Sequence, residues 1–270
     1  MKKLFLESQN TIFIFDSGLG GITIYNYIKN IFFNINFIYL LDNKYFPYGN
    51  KSKNFIFKRV IKILKKISYH YNISLAIIAC NTASVSILPK IRNYFTFPII
   101  GVNPVINLAI KKTKNNVIGL LATNTTLKNN KIQKKINILN KKYKIKTISS
   151  SKLVFLAEKK LLGYKIIINE IKKIFKPWYS LEVFPDTIIL GCTHFPLILN
   201  ELKIILPRKI CFLDSKKNII LTFRKNMNYN SEILSKKKNI VFYTKKNKYI
   251  KKIKILFLKK NFTIFSNLKL

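Results

Sequence analysis

The chain has 270 residues, of which 49% are hydrophobic, and a formal net charge of +40. This is long and apolar enough to bury a core, which indicates a globular protein of one large domain or two lobes. No apolar run approaches the roughly 18 residues of a membrane span, and polar residues 7–10 interrupt the apolar start, so we expect a cytoplasmic protein without a signal peptide.

The positive charge comes from 50 Lys and Arg residues against 10 Asp and Glu residues. Such an excess favours binding to phosphate backbones or anionic membranes. However, only four of the basic residues are Arg, and Lys is spread from Lys2 to Lys269 rather than clustered. The abundance of Lys, Asn and Ile is typical of drift in an AT-rich genome. We therefore expect no nucleic-acid partner despite the charge, and keep a Lys-rich nucleic-acid-binding protein as an alternative.

Strand-like apolar runs alternate with helix-like stretches, which predicts an α/β fold with mostly parallel sheets flanked by helices. The predicted strands cover residues 11–15, 36–41, 75–79, 99–102, 117–122, 144–148, a run around Ile188, and 239–243. The predicted helices cover residues 20–29, 53–69, a stretch from about 105, a basic stretch after Thr123, 154–162 and 166–175.

The same strand and helix pattern occurs in both halves of the chain, although the two halves cannot be aligned as a sequence repeat. This predicts two pseudo-symmetric lobes with the active site in the cleft between them. We expect residues 1–104, completed by 212–270, to form the first lobe and residues 105–211 to form the second.

A glycine-rich turn, FDSGLGG, follows the first predicted strand at residues 15–21. Its backbone amides, at the N-terminus of a helix, predict a site for a carboxylate, with Asp16 as an acidic side chain beside it. A dinucleotide site is excluded because Thr23 stands where the third glycine would be. The alternative is that the turn has only a structural role, with Asp16 capping the helix. A second loop, from Asp42 to Gly49, does not by itself identify a site for a small polar ligand.

Two cysteines each end an apolar strand-like run, in IIACNT at residues 77–82 and in IILGCTH at residues 188–194. Open α/β sheets bind ligands at the carboxyl ends of their strands, so Cys80 and Cys192 are predicted to face one crevice as two bases. A lone cysteine is more often a small core residue, which is our interpretation of Cys211. Three cysteines without CxxC spacing indicate neither disulfides nor a zinc site.

These segments resemble those of the glutamate racemases. The resemblance covers roughly residues 11–220, in family order, and is carried by residues 15–21, 42–49, 51–52, 79–84, 97–102, 119–123, 153–158, 191–197 and 213–215. The sequence departs from the family at Thr125 and Lys216, where glycine is usual. The aspartate racemases resemble the chain less, because their first turn lacks the Asp-Ser-Gly start.

The resemblance implies racemisation of glutamate without a cofactor or metal, which supplies D-glutamate for peptidoglycan. It also implies Cys80 and Cys192 as acid/bases on opposite faces of the α-carbon, assisted by Asp16, His194 and Glu158. A homodimer is a possible assembly. The alternative enzyme is a racemase of aspartate or a related small acid. The implied substrate-binding residues are Asp16, Ser17, Tyr48, Gly49, Asn81, Thr82, Thr193 and His194.

Overall fold

The computed structural model describes residues 11–32, 34–227 and 238–270, and these residues form two parallel sheets flanked by helices. The predicted α/β fold class is confirmed. The first sheet has six strands in the order β10-β9-β2-β1-β3-β4, and all neighbouring strands are parallel. Its strands are β1 Thr11–Asp16, β2 Asn36–Leu41, β3 Leu75–Ile78, β4 Ile99–Gly101, β9 Ile240–Tyr243 and β10 Ile264–Asn267.

The second sheet has four parallel strands in the order β6-β5-β7-β8. The strands β5 and β7 are buried along their whole length, whereas the edge strand β6 alternates between buried and exposed residues. The four strands are β5 Val117–Ala122, β6 Lys144–Ser149, β7 Thr187–Gly191 and β8 Cys211–Leu213. Each sheet with its helices is called a lobe below.

Twelve helices cover the faces of the two sheets within the described residues. They are α1 Ile22–Lys29, α2 Lys53–His70, α3 Asn81–Ile91, α4 Ile106–Lys112, α5 Asn124–Leu127, α6 Asn130–Leu139, α7 Ser151–Leu161, α8 Ile168–Ile174, α9 Lys176–Tyr179, α10 Leu199–Ile205, α11 Lys216–Asn226 and α12 Ile250–Leu258. Short 3₁₀ turns cover Tyr48–Asn50, Arg92–Tyr94 and Phe195–Ile198. None of the described helices has the length and apolar character needed to cross a bilayer.

The sequence pattern explains why the sheets are buried on both sides. In β1, Ile12 and Ile14 point into one apolar cluster, while Phe13 and Phe15 point into the cluster on the opposite face. Successive strand residues face opposite sides, so a strand that is apolar throughout needs helices on both faces of its sheet. Helix α2 meets this need with buried residues at helical spacing, from Ile56 to Ile67.

The chain passes from the first sheet to the second after β4 and returns after β8. Helix α11, which follows β8, packs on the first sheet through Ile219, Ile220 and Phe223. The strand β8 pairs with β7 in the second sheet and spans the expected boundary at 211/212. The division into residues 1–104 with 212–270 and residues 105–211 remains a prediction.

Candidate active site

The cleft between the lobes contains the carboxyl ends of β1, β3 and β7. Asp16 is the last residue of β1, and Cys80 lies between β3 and α3. Cys192 directly follows β7 in the other lobe. The Thr193 hydroxyl donates a hydrogen bond to Asp16 Oδ2 across the cleft at 3.0 Å, so the two strand ends are in direct contact. The structure therefore brings both predicted cysteine segments to one place.

Cys80 lies in the polar surroundings provided by the first lobe. Its Sγ is 3.8 Å from the Ser17 hydroxyl, and only 6% of the residue is exposed. Burial raises the pKa of the Cys80 thiol, and the negative charges of Asp16 and Cys192 raise it further. Burial also raises the pKa of Asp16, against the opposing effects of His194 and the Thr193 hydroxyl. These shifts favour a protonated Cys80 in the closed cleft.

Cys192 has an imidazole as its neighbour. Its Sγ is 3.7 Å from His194 Nδ1, and the opposite ring nitrogen, Nε2, is 3.0 Å from Glu158 Oε1. Burial disfavours the charged imidazole, but the hydrogen bonds to Cys192 and Glu158, together with their charges, outweigh it and raise the pKa of His194 well above its ordinary value. A protonated His194 can therefore stabilise a thiolate at Cys192.

The glycine-rich turn binds a carboxylate of the protein itself. The amide of Leu19 donates to Glu158 Oε1 at 2.6 Å, and the amide of Gly18 donates to Asp16 Oδ1 at 3.3 Å. Space is the reason for glycine here, since a Cβ on Gly20 would lie 2.5 Å from Thr193 Oγ1. The amides of this buried turn thus bind carboxylates, and the turn also packs closely against the opposite lobe.

The Tyr48–Asn50 turn is anchored by a buried ion pair that the sequence analysis missed. The Tyr48 hydroxyl donates to Asp42 Oδ2 at 2.6 Å. Arg59 on α2 donates to both oxygens of Asp42, through Nε at 2.8 Å and Nη2 at 2.7 Å. Thr244, after β9, also donates to Asp42 Oδ1, at 2.6 Å. The available signal was that Arg59 is one of only four arginines in the chain.

Asn81 and Thr82, at the start of α3, complete the first lobe's side of the cleft. The Thr82 hydroxyl is 2.8 Å from the hydroxyl of Thr123 in the second lobe, and either can be the donor. The Asn81 amide nitrogen is buried and has no hydrogen-bond partner among the described residues. Because a buried donor without a partner is costly, this nitrogen is available to a ligand oxygen.

All predicted site residues thus lie at this cleft, and nearly all are buried. Glu158 is the exception, with intermediate exposure, and Cys192 is 7% exposed. Cys211 lies in β8, outside this set. The described residues contain no group of three or more His, Cys, Asp and Glu side chains that could hold a metal ion. The arrangement offers two thiols, two carboxylates, an imidazole and several hydroxyl and amide donors.

Comparison with known proteins identifies the family, although no protein-family model matches the chain. The glutamate racemase of Buchnera aphidicola subsp. Acyrthosiphon pisum (strain 5A) is 45% identical over 263 residues, which cover 95% of this chain and 99% of that protein. The glutamate racemase of Pectobacterium atrosepticum is 45% identical over 210 residues, covering 78% of this chain and 74% of that protein.

Solved structures agree with these relatives. The crystal structure of Escherichia coli glutamate racemase, in complex with L-glutamate and the activator UDP-MurNAc-Ala, superposes with a TM-score of 0.90 at 35% identity, covering 96% of this chain and 98% of that one. Bacillus anthracis glutamate racemase RacE1, at 23% identity and a TM-score of 0.78 over 98% and 99% of the two chains, shares the fold. On its sequence and its fold together, the chain belongs to the glutamate racemase family.

Proposed function

We propose that this protein interconverts L-glutamate and D-glutamate by a two-base proton transfer between Cys80 and Cys192. The observation that carries the proposal is the position of the two thiols, each at the end of a buried strand in a different lobe of the same cleft. Bases on opposite sides of a planar intermediate invert the carbon between them. The product, D-glutamate, serves peptidoglycan synthesis, which is the general role of the family.

The reaction begins when one cysteine, as the thiolate, removes the α-proton of glutamate. The electron pair left on the α-carbon delocalises into the adjacent carboxylate, and the opposite cysteine, as the thiol, donates a proton to the other face. One thiol becomes a thiolate and one thiolate becomes a thiol, so the protons balance. Asp16 is proposed to act beside Cys80, and His194 with Glu158 beside Cys192, as groups that adjust protonation of the thiols.

Backbone amides and polar side chains at the strand ends are proposed to hold the substrate. They can neutralise its carboxylates and stabilise the charge that develops on the α-carboxylate in the transition state. The amide nitrogen of Asn81, which lacks a hydrogen-bond partner in the described part of the chain, supports this assignment. The proposed binding residues are Asp16, Ser17, Tyr48, Gly49, Asn81, Thr82, Thr193 and His194.

The decisive experiment is circular dichroism of the protein incubated with L-glutamate and, separately, with D-glutamate. We expect the optical activity of both enantiomers to decay, and the rate to fall by at least about 10²-fold in Cys80→Ser and in Cys192→Ser, since each variant lacks one acid/base. Cys211→Ser is the matched control, because it removes a thiol outside the cleft, and it should retain wild-type rates.

Two results would contradict the proposal. A folded wild-type protein that leaves both enantiomers of glutamate unchanged would exclude glutamate as substrate, and parallel incubation with L-aspartate would then test the alternative acid. Full racemisation by either active-site serine variant would exclude the two-thiol mechanism.

We also propose that the enzyme works in the cytoplasm, because its thiols must stay reduced to exchange protons and reducing compartments keep them so. A homodimer and the absence of a nucleic-acid partner remain predictions.

A further inference from the structure

The Tyr48–Asn50 turn lies between the lobes and is hydrogen-bonded to both. On the first lobe, the Tyr48 side chain is held by Asp42. On the second lobe, the Thr125 hydroxyl donates to the carbonyl oxygen of Gly49 at 2.7 Å. We propose that Thr125 is a positioning residue for glutamate, whose hydroxyl holds the Tyr48–Gly49 backbone in place when the cleft closes. The proposal rests on the proposed function, which places these two residues at the substrate.

The contact is close and specific. The same hydroxyl oxygen is 3.3 Å from the carbonyl of Lys51, but it has one proton, and the shorter distance assigns that proton to Gly49. Gly49 also packs directly against the second lobe, since a Cβ there would lie 2.8 Å from Thr123 Cβ. The turn therefore packs directly against the start of α5.

A second hydrogen bond crosses the cleft beside the first. The hydroxyls of Thr82 and Thr123 are 2.8 Å apart, and Thr123 is the N-cap of α5, with its side chain accepting from the amide of Thr126. Thr82 lies two residues after Cys80. The first turn of α5 thus contacts two of the proposed substrate-binding segments of the opposite lobe.

These bonds belong to the closed cleft. Cys80 and Cys192 are only 6% and 7% exposed, so glutamate can reach them only after the lobes have moved apart. Each opening separates Thr125 from Gly49, and each closure restores the bond. Because the apparent affinity of a ligand depends on the fraction of protein in the competent state, a weaker closed state raises KM. The thiols and their neighbours are unchanged once the cleft closes, so kcat should change little.

Thr125 is one of the positions where the sequence departs from the family it resembles, in which glycine is usual. Glycine has no hydroxyl and cannot make the bond to Gly49. Threonine at position 125 therefore adds a contact between the lobes without placing a new group beside the two thiols.

The test compares Thr125→Val, which keeps the shape and removes the donor, with Thr125→Ser, which restores it. We expect Thr125→Val to raise KM for both enantiomers about fivefold, with kcat within about twofold of wild type, as for loss of one neutral hydrogen bond. Thr125→Ser should show wild-type KM. The matched control is Thr222→Val, which removes an exposed hydroxyl that donates to Asn218 O on α11. An unchanged KM in Thr125→Val, or a failure of serine to restore it, overturns the proposal.

Hydrogen exchange of the amides of residues 48–51 tests the same contact without using the reaction. We expect faster exchange at this turn in Thr125→Val than in wild type, with β1 and β3 unaffected. Equal exchange in the two proteins shows that Thr125 does not hold the turn. If the wild type racemises glutamate, and Thr125→Val has the same KM and the same hydrogen-exchange rates at residues 48–51, only the positioning role of Thr125 is wrong. If the wild type leaves glutamate unchanged, the proposed function fails and exchange alone decides whether the bond holds the turn.

Discussion

The two thiols differ in the charged groups that lie beside them. Cys80 lies near a buried carboxylate, Asp16, whose negative charge opposes a thiolate. Cys192 contacts an imidazole whose pKa is raised by its partners. We therefore expect Cys80 to hold its proton in the resting enzyme, while a protonated His194 can stabilise negative charge that develops on its neighbour Cys192.

His194 should also make stability depend on pH. Its pKa is raised above the ordinary 6.5, so the folded state binds this proton more tightly than the unfolded state does. The resulting stabilisation is full below the ordinary pKa and is lost as pH rises through the raised one. We expect the free energy of unfolding to fall with pH above about 6.5, and His194→Asn to reduce that slope by up to about 1.4 kcal/mol per pH unit.

Urea unfolding at a series of pH values measures this slope. His70→Asn is the matched control, because it removes a histidine at the end of α2, outside the cleft. Identical slopes for wild type and His194→Asn would contradict the expectation and would mean that His194 does not hold its proton in the folded state.

For individual residues, the sequence could identify candidate site residues within short motifs, but it could not identify contacts between residues that are far apart in the chain. Asp16, Cys80, Cys192 and His194 stand in short segments that end apolar strands, so their chemistry could be inferred locally. Arg59 and Thr244 bind Asp42 from 17 and 202 residues away, and no local pattern marks those contacts.

Among the elements, the glycine-rich turn controls how closely the lobes approach. A Cβ on Gly20 would lie 2.5 Å from Thr193 Oγ1 and 2.6 Å from His194 Nδ1. We expect Gly20→Ala to keep the lobes apart and lower kcat/KM about 100-fold, since small displacements of reacting groups are costly, while the thermal midpoint changes little.

Gly163→Ala is the matched control and should behave in the opposite way. Gly163 has a φ of +82° at the end of α7, and among the described residues no atom lies within 4 Å of an added Cβ. Alanine is strained in that conformation and should lower stability by about 1 kcal/mol without changing kcat/KM. Wild-type activity in Gly20→Ala would show that closure does not need the space at this turn.

Elements were predictable where burial imposes a clear pattern. The buried strands β1, β2, β5 and β7 coincide closely with apolar runs. Helix α3 was not predicted, because its Ser and Thr residues and Pro89 disfavour a helix locally, while its packing inside the first lobe stabilises one. The short strands β8 and β10 are mostly half-buried or exposed, so their residues carry no strand signal.

At the scale of the whole molecule, positive charges far outnumber negative ones. Lysines such as Lys58, Lys62, Lys65 and Lys66 line the exposed face of α2, which supports their interpretation as a solvated surface. A net charge of +40 still repels itself in the folded state. We expect potassium chloride, raised from about 0.02 M to about 0.2 M, to stabilise the protein by about 1 kcal/mol, or about 3 °C in Tm.

Calorimetry at the two salt concentrations measures this effect. Chloride is preferred to sulfate, because sulfate also strengthens apolar burial and would confuse the result. A Tm that stays constant or falls would contradict the expected repulsion.

A steep loss of DNA binding over the same range of salt concentration, with no racemisation, would favour the nucleic-acid alternative.

The two-lobe α/β architecture could be predicted because strand and helix patterns occur in both halves of the chain, and the structure confirms it. The way the lobes meet could not, since it depends on single contacts such as Thr193 with Asp16 and Thr125 with Gly49. Each joins residues from different lobes that are far apart in the chain, and hydrophobic periodicity carries no information about such contacts.

The burial of both thiols has a consequence for covalent inhibition. A thiolate is an attractive target for electrophilic drugs, but here it meets an electrophile only while the lobes are apart. The intrinsic reactivity of the warhead then matters less than the frequency of opening and the size of molecule that enters during it. Compact electrophiles that resemble glutamate have the advantage, and saturating D-glutamate should protect the enzyme by keeping the cleft shut.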